Sequence, residues 1–132
     1  MKALILAGGR GKRIGSMTEG VNKCFLEVYG RPLIEYSLLA ASSVEAIREI
    51  VVLVGYKGQD IIDRFGDAYR GVPLRYAFQQ EPRGLVHAIE CAADALAGED
   101  FMLMLGDEFM HNPRHREFVS SFLSSGVFAV CG

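Results

Sequence analysis

Short apolar runs alternate with longer amphipathic stretches along the whole chain. Runs rich in strand-forming residues fall at 3–7, 49–54, 74–78, 101–105 and 127–131. They are nearly continuous in apolar character rather than alternating, the pattern of a parallel sheet covered on both faces. Between them Leu85, Ala88, Ile89, Ala92, Ala93 and Leu96 recur at i, i+3, i+4, i+7, i+8 and i+11, which draws one apolar helix face. Phe118, Val119, Phe122 and Leu123 form a similar stripe, residues 58–65 a shorter one, and Pro32 stands where a first-turn proline would open a helix. Strands alternating with helices predict an α/β protein with an open, mostly parallel, three-layer Rossmann-like sheet and right-handed crossovers. No linker, repeat or low-complexity segment interrupts residues 1–132, which read as a single domain.

Composition leaves that picture in place and charge sharpens it. The chain has 132 residues, half of them apolar, with a formal net charge of -2. That balance argues against nucleic-acid binding through bulk electrostatics. Yet residues 1–31 hold six Lys/Arg against two acids, while the remainder holds eight against fourteen. Positive charge gathers near the first strand. No apolar stretch approaches the roughly 20 residues of a membrane span, and a strand pattern follows Met1-Lys2 directly, without a signal peptide. Cys24, Cys91 and Cys131 lack metal-ligand spacing, so reduced thiols in a cytoplasmic protein are expected. Lys23 beside Cys24 would lower that thiol's pKa.

In open α/β sheets the ligand sits beyond the carboxyl ends of the strands, near the switch point. Three chemically loaded segments fall there: residues 8–23, 79–87 and 106–111. The first is Leu6-Ala7-Gly8-Gly9-Arg10-Gly11-Lys12-Arg13, with Lys23 further on. Its glycines let backbone N–H groups approach a ligand closely, and its cations suit phosphate. Two familiar phosphate motifs fail on it. A Walker loop needs a hydroxyl after Gly-Lys, and Arg13 stands there; a dinucleotide fingerprint needs a third glycine at Ile14. The second strand also ends Val54-Gly55-Tyr56, without the acid that binds a ribose hydroxyl.

Asp107 follows a buried-strand run, in Leu105-Gly106-Asp107-Glu108. Such an acid is a helix cap when it stands alone. Next to a phosphate loop it becomes a candidate ligand for magnesium, a hard cation that takes one or two carboxylates plus phosphate oxygens. In Gln79-Gln80-Glu81-Pro82-Arg83-Gly84-Leu85-Val86-His87, Pro82 and Gly84 mark a turn, and Gln79 offers both donor and acceptor to the edge of a base. Taken alone, that segment reads better as a surface loop. Arg10 and Lys12 read as solvated. His111 and His115 are separated by Pro113, so they mark a loop entering a helix rather than a metal pair.

Together the three segments resemble the sugar-1-phosphate nucleotidyltransferases, which include thymidylyl-, uridylyl- and guanylyltransferases acting on hexose phosphates. That family's Gly-Gly-x-Gly-x-Arg is matched by Gly8, Gly9, Gly11 and Arg13, followed by Thr18 and Lys23 at the same spacing. Ser16 and Asn22 stand where the family has proline. Its Gln-x-x-Pro-x-Gly-Leu-Ala-x-Ala resembles Gln79, Pro82, Gly84, Leu85 and Ala88, with Val86 and His87 as variation; its Leu-Gly-Asp resembles Leu105-Gly106-Asp107. The likeness runs from residue 1 to about residue 110.

The resemblance implies the fold of nucleotide-diphospho-sugar transferases, here short at the carboxyl-terminal end. It implies nucleotide binding by Leu6, Ala7, Gly8, Gly9, Gly11, Gln79, Pro82 and Gly84, a triphosphate clamp of Arg13 and Lys23, and Mg2+ on Asp107. The implied reaction joins an NTP to a sugar-1-phosphate, giving an NDP-sugar and pyrophosphate. Family members are longer, and their second half holds the sugar pocket and a further acid; that acceptor half is expected to be absent here. A truncated chain, a partial gene product, or a short protein that covers its final strand with a second copy would each account for this. Two alternatives stay open: an NTP-binding or regulatory module without turnover, and a cytidylyltransferase for a non-sugar alcohol phosphate. Neither a nucleic acid nor a membrane is expected as partner.

Overall fold

Residues 1–9, 22–110 and 114–129 are described by a computed structural model. In chain order the elements are β1 (Lys2–Ala7), β2 (Glu27–Val28), β3 (Arg31–Pro32), α1 (Leu33–Ser42), β4 (Glu49–Val54), α2 (Gly58–Phe65), β5 (Ala68–Tyr69), β6 (Val72–Phe78), α3 (Leu85–Leu96), β7 (Phe101–Leu105) and α4 (His115–Ser125), with a short 3-10 turn at Lys23–Phe25. The main sheet runs β5-β6-β4-β1-β7. Its four longer strands are parallel, and β5 is an antiparallel edge. β2 and β3 form a separate antiparallel pair. The chain moves outward from β1 through β4 to β6, then returns to the other side of β1 as β7. The switch point therefore lies between β1 and β7.

Central position explains the continuous apolar runs. On β1 and β4, Ala3, Leu4, Ile5 and residues 50–54 are at most 1% exposed. Alternate side chains feed two cores. Ala3, Ile5, Ile50, Val52 and Val54 pack with Ile34 and Leu38 of α1, Ile61 of α2 and Val119 of α4. Leu4, Val51 and Leu53 pack with Ala88, Ala92 and Leu96 of α3. Each fully buried aliphatic side chain contributes about 1.5–3 kcal/mol. Helix, sheet and helix make the expected three layers.

Four sequence readings are corrected. Residues 127–129 are not strand; Val127 is half exposed and Phe128 fully exposed. Apolar character there gives strand propensity, but a strand needs a neighbour for its N–H and C=O groups, and these three residues pair with none among the described residues. Residues 130–131 of that run lie outside the described residues. β6 begins at Val72 and is only partly covered on each face, with Leu74 buried in one core, Ala77 in the other, and Arg75 and Phe78 exposed, as its place next to the sheet edge allows. On α3 the buried face is Ala88, Ala92, Ala95 and Leu96; Leu85 and Ala93 are exposed. Pro32 occupies the N-cap of α1, one residue before its first turn.

Candidate functional site

The carboxyl ends of four parallel strands bring the loaded segments to one edge. Gly8 follows β1, Gly55 follows β4, Gln79 follows β6, and Gly106-Asp107 follow β7. Close backbone approach requires glycine at two of these ends. A Cβ on Gly55 would lie 3.0 Å from the Gly8 carbonyl oxygen and 3.1 Å from that of Gln79. A Cβ on Gly106 would lie 3.1 Å from Leu6 O and 3.2 Å from Cys24 Sγ. The Gly106 N–H donates to Leu6 O at 2.9 Å, which extends the β1–β7 ladder by one rung and fixes where Asp107 emerges. Ser37 of α1 donates to Leu105 O at 2.8 Å and ties that strand end to the helix layer.

Asn22 fastens the returning chain to this edge. It is 1% exposed, and its Nδ2 donates to Ala7 O at 3.3 Å and Tyr56 O at 3.2 Å. Its Oδ1 accepts from the Cys24 N–H at 3.0 Å, capping the Lys23–Phe25 turn. The turn delivers Lys23 across the switch point, where Nζ lies 3.8 Å from Asp107 Oδ2. Side-chain exposures of 21% and 38% leave both groups open to a ligand. Cys24 below them is buried. Burial, reinforced by the Asp107 charge, pushes its thiol up to about 12, and the opposing Lys23 charge does not offset this. The lowered pKa expected from Lys23 is overturned by desolvation.

At the far side of the edge, Gln79 is 8% exposed and its N–H donates to Val54 O at 2.8 Å. Its Nε2 lies 2.9 Å from His87 Nδ1. β4 and β1 stand between Gln79 and Asp107, so the two ends are three strand spacings apart, roughly 14 Å. Beyond Asp107 the chain follows α1 and lines a cavity of about 350 Å3 with Tyr36, Phe109, Met110 and His115. Burial lowers the pKa of His115.

The sequence-derived residues are therefore distributed unevenly. Gly8, Lys23, Gln79 and Asp107 share the edge; Leu6 is half-buried and Ala7 buried at the end of β1, and Gly9 is exposed. Pro82 and Gly84 are exposed in the loop leading to α3. Gly11 and Arg13, with Arg10, Lys12, Ser16, Thr18 and His111, lie outside the described residues. Among the described residues no group of three or more His, Cys, Asp or Glu is placed to hold a metal, and no helix is long and apolar enough to cross a membrane. Sequence reasoning missed Asn22, Gly55 and His87. Only Gly55, directly after an apolar run, carries a local signal of close packing.

An open α/β sheet with glycines and a Lys–Asp pair at its switch point defines a class of ligand-binding domain. Comparison with known proteins narrows it. The family model described as nucleotidyl transferase matches residues 2–131, and the chain belongs to that family. It is 42% identical over 111 residues to the UTP–glucose-1-phosphate uridylyltransferase AglF of Haloferax volcanii, covering 84% of this chain and 45% of that protein. It is 38% identical over 115 residues to the glucose-1-phosphate thymidylyltransferase of Mycolicibacterium smegmatis, covering 86% of this chain and 40% of that protein. A solved structure titled a putative glucose-1-phosphate thymidylyltransferase from Bacillus anthracis superposes with a TM-score of 0.86 at 27% identity, over 96% of this chain and 51% of that one. The chain thus spans less than half the length of both named relatives.

Proposed function

We propose that this chain carries the nucleotide site of a sugar-phosphate nucleotidyltransferase. The supporting observation is the convergence of Gly8, Gln79, Lys23 and Asp107 on one sheet edge in a member of the nucleotidyl transferase family. A nucleotide laid along the edge would place its base at Gln79 and its phosphates toward the switch point. Gly8 and Gly9 would approach it through backbone, with Leu6, Ala7, Gly11, Pro82 and Gly84 completing the pocket. Lys23 and Arg13 would hold the triphosphate.

In the reaction, a sugar-1-phosphate oxygen attacks the α-phosphorus in line and pyrophosphate leaves. The nucleophile is already an anion, so positioning and charge neutralisation carry the catalysis rather than a covalent residue. The donor set suits Mg2+: Asp107 offers a single exposed carboxylate, and a small hard cation bound through one carboxylate completes its shell with phosphate oxygens and water. When bound, the ion would neutralise phosphate charge. Lys23 Nζ is near enough to Asp107 to serve both the carboxylate and a phosphate. A cytoplasmic setting agrees with the free Cys24 and Cys91 thiols.

Pyrophosphate release from UTP or dTTP with glucose-1-phosphate and magnesium tests this reading. Release that disappears in Lys23→Ala and Asp107→Ala is expected; unchanged release in both variants would sink it. A second reading is NTP binding without turnover. That reading gives magnesium-dependent stabilisation by an NTP and no pyrophosphate. A cytidylyltransferase for an alcohol phosphate would respond to CTP instead. Sedimentation of the same samples reports whether the exposed Val127 and Phe128 mediate pairing with a second copy.

A further inference from the structure

The polar groups at the end of β6 continue into α3. His87 lies in the first turn of that helix, and its Nε2 is 3.7 Å from the sulfur of Cys91, one turn further on. A neutral imidazole has one N–H and one bare nitrogen. The Gln79 amide N–H faces Nδ1, which accepts when the ring proton is on Nε2; the Cys91 sulfur, 3.7 Å from Nε2 and 4.0 Å from Nδ1, lies beside the ring and in line with neither nitrogen. Turning the Gln79 amide over would require the ring proton to move to Nδ1. The tautomer of His87 and the orientation of Gln79 are thus coupled.

This arrangement commits the other end of the amide. Gln79 Oε1 is directed toward Gly8, where a Cβ would lie 3.4 Å from it. Oε1 accepts no hydrogen bond from a described residue. It is an acceptor, free of the other described residues, on the edge where the nucleotide would lie.

We infer that His87 is a positioning residue for Gln79, holding Oε1 toward the nucleotide and so favouring a base with a ring N–H on its Watson–Crick edge. The inference rests on the nucleotide reading above. Uracil and thymine offer that N–H. Cytosine presents a bare nitrogen at the same place, which would set two acceptors against each other in a nearly dry position. A site built to pair with a substrate N–H rejects the analogue lacking it through the group left unpaired.

Calorimetric affinities for UTP and CTP with magnesium test it in four variants. Alanine at the half-exposed position 87 suits a helix, so His87→Ala is expected to fold. It should lose about tenfold of the wild-type preference for UTP, because the amide then turns freely. His87→Asn, whose amide oxygen replaces the Nδ1 acceptor, should retain most of the preference. Gln79→Leu should lose it, and adding His87→Ala to Gln79→Leu should change it no further. An unchanged preference in His87→Ala, or a further loss in the double variant, overturns the role of His87 alone. Failure of the wild type to bind any of UTP, dTTP, CTP, ATP or GTP overturns the nucleotide reading and this inference with it.

Discussion

The two edges of one sheet use charge in opposite ways. At the amino edge, Lys2 is fully engaged: its Nζ lies 2.8 Å from Ala95 O, 2.9 Å from Glu49 Oε1 and 3.5 Å from Glu99 Oε1. Its side chain is 9% exposed, and the Met1 amine joins the same cluster through Ala46 O at 3.3 Å and Glu99 at 3.8 Å. At the carboxyl edge, Lys23 and Asp107 meet at 3.8 Å with room around both, and the Gln79 side-chain oxygen bonds to none of the other described residues. A charge satisfied on every side stabilises the fold and has nothing left for a ligand. The looser edge adds less stability and keeps its groups available.

Substitutions separate the two roles. The largest effect is expected at the carboxyl edge: Asp107→Ala, Lys23→Ala or Arg13→Ala should each cost about 3 kcal/mol of transition-state stabilisation, by analogy with loss of an oxyanion donor, read as initial rates of pyrophosphate release. For the exposed Asp107, urea midpoints should stay within about 0.5 kcal/mol of wild type. Lys2→Met should do the reverse, losing about 2 kcal/mol of stability in urea melts because Glu49 and Ala95 O lose their partner, while nucleotide affinity is unchanged. Glu49 raises the Lys2 pKa above its ordinary 10.5. Its contribution is therefore complete below that value and lost as pH rises through the raised one. The difference between wild type and Lys2→Met should shrink only above about pH 10.5.

Asn22 sharpens the comparison, since it is a fold-holding polar group placed at the ligand edge. Asn22→Ala removes three hydrogen bonds and should cost about 2 kcal/mol in thermal or urea melts, with nucleotide affinity falling because Lys23 loses its anchor. The smallest effect concerns Cys24. With its thiol held near 12, it should resist iodoacetamide in the folded protein at mildly alkaline pH, while the half-exposed Cys91 reacts; mass spectrometry distinguishes them.

Most of the fold was legible because central parallel strands write themselves as unbroken apolar runs: 49–54 and 101–105 match β4 and β7 at both ends. β5 was not, since a two-residue edge strand has no periodicity. Its turn into β6 places Arg70 at φ 50 and Gly71 at φ 84, a geometry for which arginine gives no signal. The run at 127–131 misled because propensity does not report whether a neighbour is present. Gly8, Lys23, Gln79 and Asp107 were readable as a set because each directly follows or faces a strand end. Asn22 and His87 were not, because their partners lie on other elements: the Ala7 and Tyr56 carbonyls for one, the Gln79 amide for the other. Contacts of that kind depend on the completed topology.

Backbone amide shifts recorded during titration with UTP and magnesium test the central claim most directly, since both edges report in one spectrum. Perturbation is expected at Gly8, Gly55, Gln79, Gly106 and Asp107, with Lys2, Glu49 and Glu99 unmoved. Saturable shifts confined to the amino edge, or none at the carboxyl edge at millimolar nucleotide, would contradict the assignment of that edge as the nucleotide site.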